Sequence, residues 1–240
     1  MPGFYLKGAF IQFMPTFLVP LPNVVIFQFN PETMTHTWTP SAPEVTPDSK
    51  IKPNPLAVKG LPGESFSFTL AMDASDMIAD GSIVSQGLAK ATGIYSRLAA
   101  LEMLLYPSGS FSSNNLLGKV SAGISSLLGG SKPKNDPTVP QFMMSTVLFV
   151  WGPGRILPVR LTGLTITEKL YDNLFLNPTH AEAQVGLQVL TPEEVSSLSD
   201  ALSSIATVAY DFSQGLRQAL ALANVANEVA SSILGILPFG

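Results

Sequence analysis

The stretch GESFSFTLAMD, residues 63–73, sets Phe66, Phe68, Leu70 and Met72 against Ser65, Ser67, Thr69 and Ala71. An apolar residue at every second position marks a strand with one face in a core and the other in water. A helix cannot use that period, so the segment commits this part of the chain to an antiparallel sheet. Other runs repeat the message. Residues 4–14 and 24–29 read as strands, and in VVIFQF Val25, Phe27 and Phe29 point one way while Val24, Ile26 and Gln28 point the other. Asn30-Pro31 ends that run, because proline supplies no ladder donor. The Thr-rich sequence from there to Trp38 reads as the edge of a small sheet. Residues 142–150, 156–168 and 181–190 are three further strands. In the last, Ala181, Ala183, Val185, Leu187 and Val189 lie opposite Glu182, Gln184 and Gln188.

The period changes over residues 82–105, where Ile94, Leu98, Leu101 and Leu105 fall at helical spacing. One amphipathic helix, stopped before Pro107, is expected to cover an open side of the sheet. The tail starts with a cap signal: Thr191 caps, Pro192 takes the first helical position and Glu194 completes a capping box. Val195, Leu198, Leu202, Ile205 and Ala209 then form a stripe, and a second helical piece covers roughly 212–235. Arg217 and Glu228 are that piece's only charges, so it must pack on something. Residues 39–63 read as an exposed linking loop, and 108–140 are rich in glycine, serine and asparagine. The expected organisation is a β domain over 1–190, with a flexible insertion at about 108–139, followed by a helical extension over 191–240.

Charged residues make up 12% of the chain and hydrophobic residues 46%. That is about half the usual charged share, as expected of a protein that hides much of its surface against partners. A net charge of −4 with scattered Lys and Arg gives no basis for nucleic-acid binding. The absence of cysteine excludes disulfide and thiolate chemistry. The N-terminal sequence lacks the pattern of a signal peptide, and no uninterrupted apolar run is long enough for a membrane span. A cytoplasmic location without stable membrane insertion is the expectation.

Few residues suggest chemistry. Asp73, Asp76 and Asp80 could offer oxygen ligands but match no EF-hand spacing, and strand-end and cap duties account for them. His36 and His180 are isolated in sequence, and two histidines without cysteine make a poor zinc site. GPGR at 152–155 follows a strand but lacks the Lys-Ser/Thr of a phosphate loop, so it reads as a turn. No catalytic, cofactor or metal residues are assigned. Trp38 and Trp151 fit either a core or an interface. Arg97 and Glu102 fit either a helix surface or contacts between subunits.

Five stretches in order carry a family likeness: FQFNPETMTHTW (27–38), GESFSFTLAMDASD (63–76), RLAALEMLLYP (97–107), PQFMMSTVLFVWG (140–152) and RILPVRLTGLTITEKLYDNLFLNPTHAEAQVGLQVL (155–190). Together they resemble the tube-domain proteins of contractile injection systems, relatives of contractile phage tail tube and baseplate proteins. The resemblance implies a mainly β fold: a tail-tube-like β-barrel of two packed antiparallel sheets with one packed helix, here with a helical C-terminal extension. It implies a homo-hexameric ring joined through edge strands around a channel, acting as adaptor between the spike hub or baseplate and the inner tube, with no catalysis. Partners would be the hub protein and tube-initiating or baseplate proteins. Assembly would be cytoplasmic within a phage-tail-like particle, with release from the cell as part of it.

Asn30, Pro31 and Glu32 match the family's turn after an early strand. Glu102 and Tyr106 match the end of its helix, Trp151 the turn after a strand, and Arg160 and Glu168 two polar places in the long strand segment. Trp38 and Arg97 join them as candidate assembly positions. Relatives in the adaptor role often carry a LysM module after the tube domain, whereas residues 191–240 read as helices. The insertion and the tail are expected to make layer-specific contacts, with deletion of 192–240 leaving the β domain folded. Two other accounts stay open: the repeating inner-tube protein, and a small β-sandwich cation-dependent hydrolase using Asp73, Asp76 and Asp80 with His36 or His180. A membrane-associated protein would rest on 212–239 alone.

Overall fold

The computed structural model describes residues 6–14, 21–42, 56–75, 83–106, 146–196 and 203–236. Its strands are β1 (Ala9–Met14), β2 (Leu21–Ile26), β3 (Met34–Thr39), β4 (Gly63–Asp73), β5 (Val147–Val150), β6 (Ile156–Tyr171) and β7 (Pro178–Val189). They form one antiparallel sheet in the order β2-β1-β5-β6-β7-β4-β3. The end strands β2 and β3 do not pair with each other, so the sheet is open. The expected barrel of two packed sheets is therefore corrected to a mixed α/β fold built on a single seven-stranded sheet with C-terminal helices. Alternation within a strand reveals which face is buried, but it says nothing about what the terminal strands pair with.

One aromatic core fills the inner face. Phe10 of β1, Phe27, Phe66 and Phe68 of β4 and Phe149 of β5 are buried together. The Phe10 and Phe68 rings lie 6.3 Å apart, although their strands stand four places apart in the sheet. The sheet therefore bends around its core while its ends stay unpaired. Where the chain after β2 approaches β4, a side chain replaces the missing ladder. Gln28 Nε2 donates to the Asp73 carbonyl at 2.7 Å, and the Asp73 N–H donates to Gln28 Oε1 at 3.0 Å. The expected alternation holds at Val25 and Phe27 and fails at Gln28 and Phe29, because β2 ends at Ile26; Gln28 turns in and Phe29 out.

Two helices take the place of the single one expected over 82–105: α1 (Ile83–Thr92) and α2 (Tyr95–Met103). Gly93 separates them at φ +57°, and a Cβ there would sit 2.3 Å from the carbonyl oxygen of Pro178. The break lets the Ile94 N–H donate to that same oxygen at 3.0 Å. Ile94, Leu98 and Leu101 are buried as expected, but Leu104 and not Leu105 completes the row.

In the tail, α3 (Pro192–Ser196) is opened by the expected capping box. Thr191 N–H donates to the Glu194 carboxylate at 2.8 Å, and Glu194 N–H to Thr191 Oγ1 at 3.3 Å. The two helical pieces expected after it form, from Ser203 on, one 34-residue helix, α4 (Ser203–Ile236). Among its described side chains, those of Ala206, Tyr210 and Ser213 are buried, while Ile205 is exposed. Leu198 and Leu202 lie outside the described residues, as does the insertion at about 108–139.

Candidate assembly surface

Glu64 occupies the same parity along β4 as Phe66 and Phe68, so the strand turns its carboxylate inward, 4% exposed. A buried carboxylate needs charged and hydrogen-bonding partners. Arg217 of α4 supplies both, donating from both terminal nitrogens to the two carboxylate oxygens in a fork. The guanidinium also covers the Trp38 ring of β3, 5.0 Å from its centroid. His36 Nε2 lies 2.8 Å from Glu64 Oε1 without the direction of a hydrogen bond, and its ring stacks on Phe66 at 4.3 Å. This group ties α4 to the strands at one end of the sheet. Among the described residues, no strand pairs with the outer side of β3.

The second feature is the tip of the β6–β7 hairpin. Leu170, Tyr171, Leu174, Phe175 and Leu176 are all more than half exposed, Leu174 at 79%. Asp172 organises the turn: its Oδ1 accepts from the Leu174 and Phe175 N–H groups at 2.9 and 2.6 Å, and its Oδ2 from Asn177 N–H at 2.9 Å. Those backbone donors, Phe175 first, hold the Asp172 carboxyl below the usual range. Asn177 Nδ2 in turn donates to the Ala91 carbonyl at 3.0 Å. Leu170 and Leu176 adopt φ of +53° and +56°, a left-handed geometry that side chains other than glycine and asparagine rarely take. A large apolar group is thus held outward on a fixed frame, at a conformational cost typical of functional turns.

The expected residues scatter around these features. Asn30 is a structural tie, accepting from Gly8 N–H at 2.9 Å and donating to the Leu6 carbonyl at 2.8 Å. With Pro31 and Glu32 it lines an open cleft of about 800 Å³ on the outer face of the sheet, with Thr69 and Glu182 on its other wall. Trp38 is half-exposed at the β3 edge beneath Arg217. Trp151 belongs to the aromatic core, 6.3 Å from Phe149 and 6.4 Å from Phe27. Arg97 and Glu102 are half-buried on α2, and Tyr106 is exposed beyond it.

Arg160 and Glu168 do not share a face. Arg160 pairs with Gln188 on the outer face and donates to its Oε1 from Nε at 3.0 Å, whereas Glu168 stands opposite Ala181 on the inner side, beyond the core. A bulge between Leu161 and Gly163 inserts the residue that flips the parity.

Of the acidic set, Asp73 does meet His180, with Oδ2 3.4 Å from Nδ1. Asp76 and Asp80 lie outside the described residues. The Ser75 N–H is the main group lowering the Asp73 pKa, with the Ser75 and His180 side chains adding to it. Beside them Lys169 bonds Glu182 at 2.6 Å, lowering that carboxyl in turn. Asp73, His180, Glu182 and Lys169 form a solvated polar row across β4, β7 and β6. Among the described residues no group of three or more His, Asp or Glu side chains is placed to hold a metal ion. No described helix is long and apolar enough to cross a membrane.

Sequence reasoning missed Glu64, Arg217 and Asp172. For Glu64 the signal was present: a carboxylate on the apolar parity of a strand must find a cation, and Arg217 is a rare charge on an apolar helix. No family model matches this chain, and no curated protein matches its sequence.

Proposed function

We propose that this chain is a non-enzymatic structural subunit that joins copies of itself into a ring between the spike hub or baseplate and the inner tube of a contractile injection particle. The observation that carries this reading is the outer edge of β3, MTHTWT, which holds no Lys, Arg, Asp or Glu and has no strand beside it among the described residues. A protein that stays single blunts such an edge with charge, proline or a bulge. The strand at the other end, LPNVVI, is also uncharged, but it carries Pro22 near its start and has helix α2 against it, with Asn23 Nδ2 donating to the Ala100 carbonyl at 3.5 Å, so β3 is the more open edge of the two. The two edges are different surfaces, so joining them runs head to tail, a mode that closes into rings when the rotation permits. The charge-poor composition and the exposed apolar tip at Leu174–Leu176 support the same reading. A hexamer and the adaptor layer are what the family likeness adds.

The test is cryo-EM of intact particles from the native source, counting this chain in the density. One six-copy ring between hub and tube is the expected result. Rings repeated along the particle would make this the tube protein itself, and absence from any such particle would overturn both.

A further inference from the structure

Two nitrogen-bearing side chains meet at one oxygen of the buried carboxylate. Arg217 Nη2 donates to Glu64 Oε1 as half of its fork, and His36 Nε2 stands 2.8 Å from the same oxygen. His36 Nε2 is shut away from water and makes no aligned hydrogen bond. A bare ring nitrogen at that distance would set its lone pair against the carboxylate, so Nε2 carries the hydrogen and Nδ1 is left to take up a second proton. The ring has nowhere to retreat. It belongs to β3, stacks on Phe66 at 4.3 Å with the planes 16° apart, and meets the Trp38 ring at 5.1 Å. Arg217 is the mobile partner: its guanidinium rides on a long stem, and 28% of the side chain is open to water.

The charges around His36 decide what a proton there does. β4 contributes Glu64. α4 contributes Arg217 and Tyr210, whose phenol burial holds above its ordinary value of 10, so that it stays neutral. The turn before β6 places Arg155 over Phe66, 5.6 Å from the centre of the ring that His36 stacks on. α3 adds Glu193, which stands exposed and acts on Tyr210. Among the described residues Glu64 is the only buried carboxylate. A protonated His36 therefore puts two cations on one buried oxygen with a third close by, and like charges in a partly dry site repel strongly.

We infer that this group is a proton-operated latch on α4: when His36 gains a proton it takes over Glu64, and Arg217 swings out into solvent. Histidine is the side chain whose charge changes across mildly acid to neutral conditions. Beyond Arg217, every side chain from Gln218 to Val229 is exposed, so the fork governs where the helix leaves the sheet. Its release loosens α4 beyond Ser213, which stays tied through Oγ to the carbonyl and N–H of Ile156 at 2.9 and 3.1 Å. It also uncovers the Trp38 ring at the open edge of β3. The latch belongs to the single chain and holds whether or not copies join.

The test follows Arg217 in the full-length protein by NMR of its guanidinium, one of only four in the chain, with Arg97, Arg155 and Arg160. A forked guanidinium keeps its Nη protons distinct and slow to exchange, whereas a free one averages them. The forked fraction should fall about tenfold between pH ~7.5 and ~5.5, the effect of losing one charge-assisted hydrogen bond. Over the same range Trp38 should become more open to acrylamide quenching, read in a Trp151→Phe background. His36→Phe keeps a ring on Phe66 but has no proton to take up, so it should hold the fork at both pH values; His36→Gln serves if that variant does not fold. A fork unchanged in acid in the unaltered chain overturns the latch. Release in acid from both the unaltered chain and the His36 variant also overturns it, since the proton would then be on Glu64 itself. A fork already lost at the higher pH in the variant does the same, because His36 would then support the fork and not compete with it.

Discussion

Arg217 and Glu64 depend on each other unequally. Arg217 keeps partial access to water, whereas Glu64 has almost none. Replacing Arg217 with Ala strands a carboxylate inside the protein, a change that costs about 3–5 kcal/mol when both partners are fully buried. With one partner partly solvated, we expect a loss of roughly 2–3 kcal/mol, read as a lower urea midpoint at unchanged slope. Replacing both residues, Glu64→Gln with Arg217→Met, should recover most of it. At the hairpin tip, Asp172→Ala should remove hydrogen-exchange protection from the amides of Leu174, Phe175 and Asn177 while the core ladders stay protected. The folded Asp172 carboxyl is held below its ordinary value of 3.8, so its contribution is complete above that value and fades as pH falls through the lowered one. Tip protection should therefore persist at pH 5 and disappear only in stronger acid, below about pH 3.8. Neither Asp172 nor its two left-handed leucines could be picked out from the sequence, because LYDNLFLN, residues 170–177, contains no glycine to announce a turn of that kind.

Among the elements, those with a strict period were legible. β4 and β7 turn inward the residues their alternation assigns, and the Thr191–Glu194 capping box forms as its spacing predicts. Where one residue shifts the phase, the reading failed. The bulge in β6 separates Arg160 from Glu168, and Gly93 divides one expected helix into α1 and α2. The cause at Gly93 is tertiary: the chain bends there to meet Pro178, which no local pattern reveals. Gly93→Ala should be severe, since it meets both a positive φ and a carbonyl oxygen at 2.3 Å. A loss of more than about 2 kcal/mol is expected, whereas Gly87→Ala, in the middle of α1 with nothing near its added Cβ, should be neutral or slightly stabilising. Differential scanning calorimetry of the two variants would check the contrast.

For the whole molecule, the boundary at 191 marks a change of secondary structure without a break in packing. Val195, Ala206, Tyr210 and Ser213 are buried against the sheet, so deleting 192–240 should compromise folding, contrary to the expectation drawn from sequence. Truncation after Arg217 should leave the melting temperature within a few degrees of the full chain. If the longer deletion melts like the intact protein, the packing of α4 onto the sheet is not what stabilises that end. The open sheet was illegible for a simple reason. Strand patterns are local, whereas the order β2-β1-β5-β6-β7-β4-β3 is set by which distant segments meet.

That order also has a consequence for synthesis on the ribosome. The first four strands emerge as two hairpins, and the ladders that unite them, β1 with β5 and β4 with β7, need residues 147–189. Until those are made, Phe10, Phe27, Phe66 and Phe68 have no complete core to enter. Distant pairings of this kind form slowly, and partly made sheets with apolar edges associate readily. The nascent chain is thus most vulnerable at mid-length, waiting for the centre of its own sheet, and a cell producing it in quantity would need chaperones to hold those hairpins apart.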